Sequence, residues 1–224
     1  MRWLAVLAVV VAGCGAEVPA LPDGLVLQAK QLVGMPSPRP AELPEFSLYG
    51  DGTVIRPGPP AGALQTAETV QIGHERAMNF YGEAHDAGLD RDQEIRNDSV
   101  VDGYAQVFVL NSRGRRFVTK ATNPQGELAR FHSRLHVDGA AMPYQPTRIA
   151  AVGWAPDSSQ NAELWPFDPL DQRVDVGVCV TLDAAEVSEF ARKAPKGTRF
   201  RSGETTFVVV FRPLLPDESG CGDV

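Results

Sequence analysis

The sequence predicts an α+β fold: a mainly antiparallel sheet with two or three short helices. Three observations point there. Short β-prone runs alternate apolar and polar residues and are joined in pairs by Gly-containing turns. Only a few segments carry apolar residues at helical spacing. The strands come in runs rather than in strict alternation with helices, the order expected when helices pack on one side of an antiparallel sheet.

The elements follow along the chain. Gly24 to Val33, GLVLQAKQLV, reads as a strand. Gly34 to Pro44 holds four prolines and reads as loop. Phe46 to Ile55 reads as a hairpin turning at Gly50-Asp51-Gly52, residues that accept positive φ. Thr66 to Ile72 alternates again. Ala77, Phe80, Tyr81 and Ala84 share one face of a helix over Gly73 to Ala87, with Gly88 as its stop. Asp90 to Gly103 is polar and acidic and reads as loop. Tyr104 to Ala121 is the clearest hairpin, turning at Ser112-Arg113-Gly114. Pro124 to Leu135 reads as a helix with Asn123 at the N-cap and Pro124 at N1. Thr147 to Trp154 and Val174 to Leu182 read as strands. Asp183 and Glu186 form a capping-box-like start to a helix ending near Lys193. Thr198 to Pro213 reads as a hairpin turning at Ser202-Gly203.

A candidate internal repeat relates the halves 24–140 and 141–224. Val70-Gln71-Ile72 and its helix match Val180-Thr181-Leu182 and its helix at an offset of 110 residues, with a hairpin after each. Chance likeness of strand–helix–hairpin units stands as the alternative.

Composition narrows the function. The 17 Arg and 4 Lys are scattered and the formal net charge is -7. Without a basic stripe, nucleic acid is not an expected partner. The cysteines, Cys14, Cys179 and Cys221, form no Cys-x-x-Cys pair, which argues against a zinc knuckle or a thioredoxin-like centre.

The N-terminus accounts for the odd count. Arg2 precedes an uninterrupted apolar run from Trp3 to Ala12. That run is too short for a membrane span, which needs about 20 residues, and fits a signal peptide. Val11-Ala12-Gly13-Cys14 resembles the bacterial lipobox, with Val where Leu is usual. The resemblance implies cleavage after residue 13 and a diacylglyceryl group on Cys14, which becomes the mature N-terminus; an ordinary secretory signal with a coincidental Cys is the alternative. Residues 14–23 then read as a tether and 24–224 as one extracytoplasmic domain. No second apolar run long enough to span a membrane follows. Cys179 and Cys221 are left as an expected disulfide, since two thiols outside the cytoplasm usually pair. A buried free Cys179 with a loose tail is the alternative.

Other candidate sites carry plain readings beside functional ones. His132 and His136 stand at i, i+4 on the expected second helix, a spacing that can hold a metal. Two partly exposed histidines is the reading preferred, and no metal or cofactor is expected. Asp90, Asp92, Glu94 and Asp98 resemble the start of a calcium loop, but Ile95 and Val101 occupy the positions that need Gly and Glu. Trp154 and Trp165 flank a polar loop and are candidate binding anchors; alternatively both rings pin that loop to the core. No local signature of a serine hydrolase or a nucleotide-binding loop occurs, so no catalytic residue is assigned.

Three stretches, LPEFSLYGDGTVI (Leu43 to Ile55), LWPFD (Leu164 to Asp168) and RPLLPDESGC (Arg212 to Cys221), together with the lipobox, resemble uncharacterised cell-envelope lipoproteins of actinobacteria. The resemblance implies anchoring at Cys14 on the outer face of the cytoplasmic membrane and brings no catalytic or ligand residues. The expected role is a lipid-anchored module that binds an unidentified envelope protein or ligand. A hydrolase-type enzyme and a purely structural envelope protein are the alternatives.

Overall fold

In a computed structural model, the structure describes residues 19–33, 42–97, 104–155, 161–174 and 177–224. The signal segment and Cys14 lie outside the described residues. The first half runs β1 (Leu25–Val33), β2 (Phe46–Tyr49), β3 (Thr53–Pro57), β4 (Ala67–Gln71), α1 (His74–Asp86), β5 (Gln93–Arg96), β6 (Tyr104–Ser112), β7 (Arg115–Thr122), α2 (Gly126–Arg134) and β8 (Met142–Pro143). The second half runs β9 (Arg148–Trp154), β10 (Glu163–Leu164), β11 (Gln172–Val174), β12 (Gly177–Asp183), α3 (Ala184–Lys193), β13 (Arg199–Ser202) and β14 (Thr205–Pro213). A single 3-10 turn, Cys221–Asp223, ends the chain. The protein is α+β, with two mostly antiparallel sheets.

The first sheet has the order β5-β7-β6-β1-β2-β3-β4-β8 and the second β10-β13-β14-β9-β12-β11. Alternation along the strands divides each sheet between two cores. On the first sheet, Leu27, Phe46, Leu48, Val54, Phe108 and Leu110 meet α1 and α2 through Ala77, Phe80, Tyr81, Leu128 and Phe131. On the second, Ile149, Ala151, Leu182, Val209 and Phe211 meet α3 through Val187 and Ala191.

Local chemistry explains the helix ends. After the C-cap Ala87, Gly88 takes φ 75°. Its N–H donates to His85 and that of Leu89 to Ala84, which closes a Schellman motif. Asp183 caps α3 by accepting from the Ala185 N–H at 2.7 Å.

Several sequence expectations are corrected. α2 starts at Gly126, with Gln125 rather than Asn123 at its N-cap. Asn123 is committed elsewhere: its Oδ1 accepts from the Tyr104 N–H, and its Nδ2 donates to the Asn97 carbonyl. α2 also stops at Arg134, so His136 lies beyond it. The acidic stretch contains β5, which adds in parallel to β7. Val174 belongs to β11, and the run from Val174 to Leu182 folds back on itself with Val174 opposite Gly177. Both halves keep the strand–helix–hairpin order but place the hairpin differently. In the first, the leading strand β6 lies inward against β1; in the second, the trailing strand β14 lies inward against β9.

The halves clasp each other through two exchanged segments. The β3–β4 loop places Ala63 and Leu64 in the α3 core. There the Ala63 N–H donates to Ala191 and Ala194, and its carbonyl accepts from the Phe211 N–H. Gly62 passes so close to α3 that a Cβ would sit 2.3 Å from the Arg192 carbonyl oxygen. In return, the tail after β14 enters between the sheets. Leu215 packs with Leu25, Tyr49, Ile55 and Val109 of the first sheet, while Leu214 and Cys221 pack with Ala150, Val152 and Cys179 of the second.

A buried ion pair holds the tail. Arg212 is 1% exposed and donates from both terminal nitrogens to the two carboxylate oxygens of Glu218, each at 2.7 Å. Glu218 also accepts from the Leu215 N–H. Glu218→Gln leaves the guanidinium buried without its counter-charge and should cost about 3–5 kcal/mol in urea unfolding. The double replacement Arg212→Met/Glu218→Leu should recover most of that loss. Gly62→Ala combines a positive φ of 61° with the α3 clash and should cost roughly 2–4 kcal/mol in the same measurement.

Candidate functional site at the seam between the sheets

Cys179 and Cys221 are joined as a disulfide, with Cα atoms 5.9 Å apart and exposures of 0% and 3%. It closes a 42-residue separation and fixes the tail to β12. The two tryptophans are not brought together. Trp154 ends β9, half-buried, on the face that carries Ala150 and Val152. Trp165 is 6% exposed within the α3-side core. Its ring stacks on Phe211 and meets Phe167 and Phe200 edge-on, and its Nε1–H donates to the Asp168 carbonyl at 2.6 Å. Trp165 therefore pins its loop, with its ring stacked on Phe211.

The histidines of the candidate metal pair each meet a different carboxylate. His132 lies 2.8 Å from Glu45 and His136 2.9 Å from Asp138. Among the described residues no three His, Cys, Asp or Glu side chains gather as a metal site. Of the acidic stretch, Asp92 accepts from the Val118 N–H and Glu94 pairs with Arg96.

One polar constellation had no sequence signal, because Ser112 lies 27 residues from His85 in the chain. The Tyr81 hydroxyl donates to Ser112 Oγ at 2.7 Å. Ser112 Oγ lies 3.2 Å from His85 Nε2, and His85 Nδ1 lies 3.7 Å from Asp90. The order Ser–His–Asp is that of a hydrolytic triad, which is recognised by geometry. Yet Ser112 is 1% exposed and Tyr81 fully buried, and neither lines any of the clefts described below. The set locks α1 onto the β6–β7 hairpin.

Two clefts lie along the seam. A cleft of about 570 Å³ is walled by Leu64 and Glu68, by Tyr144 and Gln145, and by Ser188 and Arg192 of α3. A second, of about 450 Å³, lies between the leading segment at Asp23, the β2–β3 turn at Asp51, and the side chains of Tyr49, Ile55, Thr69 and Tyr144. A third cavity, along α1 at Arg76, Glu83 and Arg134, lies away from the seam. Tyr144 is the partition common to the two seam clefts. It is held upright by a 2.9 Å hydrogen bond from its hydroxyl to the Leu214 carbonyl. Tyr49 likewise donates to Asp217 at 2.6 Å. The glycine at Gly50 is required here, because a Cβ would lie 2.2 Å from the Pro22 carbonyl oxygen.

The tail sets mixed charge beside these phenols, Asp217 and the Glu218–Arg212 pair. Burial, then the Glu218 and Asp217 carboxylates, pushes the Tyr144 phenol up to about 12. Burial, then the hydrogen bond to Asp217, pushes Tyr49 up further. Lys30, on the same face of the first sheet, is lowered by burial and by Arg212. The seam holds polar edges and apolar floors at a volume suited to a ligand. Neither seam cleft has a nucleophile paired with a base in its described walls.

The tyrosine shifts set an alkaline stability limit. A phenol with its folded pKa raised binds its proton more tightly in the folded state. Its contribution is whole below about pH 10 and is lost as the pH rises through the folded value, for Tyr144 about 12. Lys30, being lowered, opposes this fall up to its unfolded value. Urea midpoints between pH 9 and pH 11.5 (about this range) should fall less steeply in Tyr144→Phe and Tyr49→Phe than in the parent chain. No protein family, curated protein or solved structure matches this chain.

Proposed function

We propose that the protein is a lipid-anchored, extracytoplasmic binding module of the cell envelope, with its ligand site at the seam. The observation that carries this reading is the pair of clefts on either side of Tyr144. Their walls come from both sheets, α3 and the tail, and lack a paired nucleophile and base among the described residues. Sites between packed units are a common location for ligands. The buried disulfide fits an oxidising compartment, where such bonds form and persist.

Anchoring rests on Cys14. Two acyl chains hold a protein to a bilayer stably where one does not. A tether from Cys14 to Asp23 reaches at most about 30 Å when extended, so the smaller cleft would sit close to the membrane surface. The Ser112–His85–Asp90 set lends the hydrolase reading no support, because Ser112 is buried.

Two measurements test this. Cys14→Ser should move the protein from the membrane to the soluble fraction, and persistent lipid labelling of that variant would remove the anchor. A photo-crosslinking residue at Gln145, on the seam, should give discrete adducts in intact envelopes that the same group at exposed Lys196 does not. Absence of adducts at both positions would replace binding with a purely structural role.

A further inference from the structure

The larger cleft opens on an unpaired edge of the first sheet. β8 is the last strand of that sheet, and Tyr144 prolongs its pairing with β4 by donating its N–H to the Ala67 carbonyl. Backbone groups alternate in direction along a strand, so those of the two neighbours, Pro143 and Gln145, point off the edge. Both residues line the cleft, and α3 supplies another of its walls with Ala185, Ser188 and Arg192. Gln145 is exposed, and its backbone N–H and carbonyl make no hydrogen bond among the described residues. A free sheet edge beside a helix in one cleft is a setting in which an extended peptide adds as a further strand.

Sequence and charge narrow the occupant. Pro143 and Pro146 have no N–H, so this stretch offers a single donor, at Gln145, beside the carbonyls of Pro143 and Gln145. A second copy pairing through the same edge would bring the same two prolines and could build no ladder. A short extended segment of another chain fits one donor. The wall charges are unequal as well. Glu68 is paired with Arg56 at 3.6 Å and Glu189 with Lys193 at 2.6 Å. Arg192 is the remaining charged residue of the lining; it is exposed and makes no ion pair among the described residues. A carboxylate on the occupant complements that guanidinium, and an ammonium is repelled by it.

We propose that the larger cleft takes a short, extended, acidic segment of a partner protein, which pairs its backbone with Gln145 and sets a carboxylate against Arg192. Apolar side chains of the segment rest on Leu64 and Ala184. This rests on the seam being a ligand site and adds the class of what enters it.

The test is calorimetric titration of the full chain, held in detergent with uncharged headgroups. The probes are a capped Ser-Val-Glu-Val-Ser peptide and the same peptide with Gln or Lys at its centre. Two further forms of the Glu peptide carry N-methyl groups, one on the glutamate and one on both valines. The Glu peptide should bind about threefold tighter than the Gln peptide, as one exposed ion pair would give, and the Lys peptide more weakly than either. Arg192→Gln should erase the Glu-over-Gln difference. The Arg192 side chain makes no hydrogen bond among the described residues, so its loss leaves the fold intact. Arg201→Gln, at an exposed arginine of β13 outside the cleft, should change nothing. A paired strand presents alternate amides to the edge. One N-methylated form should therefore lose at least about fivefold, and the other should bind within about twofold of the parent. Equal binding of the Glu and Gln peptides, or a difference that persists in Arg192→Gln, overturns the proposal. So do N-methylated forms that both lose or both keep affinity, and failure of every peptide to bind at about millimolar concentration. In those cases adducts at Gln145 would still uphold the binding role, so the two readings fail separately.

Discussion

The Arg212–Glu218 pair is the constraint on which the seam depends. A buried guanidinium is tolerable only beside a carboxylate that matches its fork, and both oxygens of Glu218 are used. β14 delivers the arginine to the face of the second sheet away from α3, opposite Ala150. The glutamate must therefore come from chain lying on that face, and the tail supplies it six residues later. Once Glu218 is placed, its neighbours are placed too. Asp217 reaches Tyr49, the Leu214 carbonyl receives Tyr144, and Cys221 meets Cys179. The disulfide and the ion pair thus fix one segment from its two ends. The ion pair sets register, and the disulfide limits the freedom of the unfolded chain.

The same exchange explains why the halves act as one unit although each has its own sheet and core. The β3–β4 loop is spent on the second core and the tail on the first. Neither half can be lifted away without exposing apolar surface of the other. Ala63 makes hydrogen bonds with α3 and with β14 at once, which fixes the angle at which the loop enters. The larger cleft is what remains between that loop, the β8–β9 connection and α3. Its shape follows from the clasp rather than from any loop of its own.

Much of the strand pattern was legible, because hairpin turns and alternation are local. Gly50-Asp51-Gly52, Arg113-Gly114 and Ser202-Gly203 each turn where the chain suggests. The short strands β5, β8, β10 and β11 were not, since two to four residues at a sheet edge carry no period of their own and exist only because a partner strand is present. Asn123 illustrates the limit. Its residue type and the following proline suit a helix cap, but Tyr104 and Asn97, brought near by the sheet, claim its side chain. The site was less legible still. Trp154 and Trp165 stood out by type, yet Trp165 is consumed by the phenylalanines around it. Tyr144, which divides the clefts, sits in an unremarkable Met-Pro-Tyr-Gln stretch whose meaning comes from a tail 70 residues away.

The proposed anchor at Cys14 would tie the location of the folded domain to its disulfide. If Cys14 is the anchor, the folded domain works only outside the cytoplasm, where Cys179 and Cys221 can stay oxidised. The disulfide closes a loop that contains β14 and the whole of the ion pair. Opening it would free Cys221 but leave Glu218 tied to Arg212, so the near end of the tail has a second hold. Tyr49 and Tyr144 hang from that near end, at Asp217 and Leu214, on the ion-pair side of the segment. The floor of the smaller cleft is therefore governed first by electrostatics and only second by the disulfide.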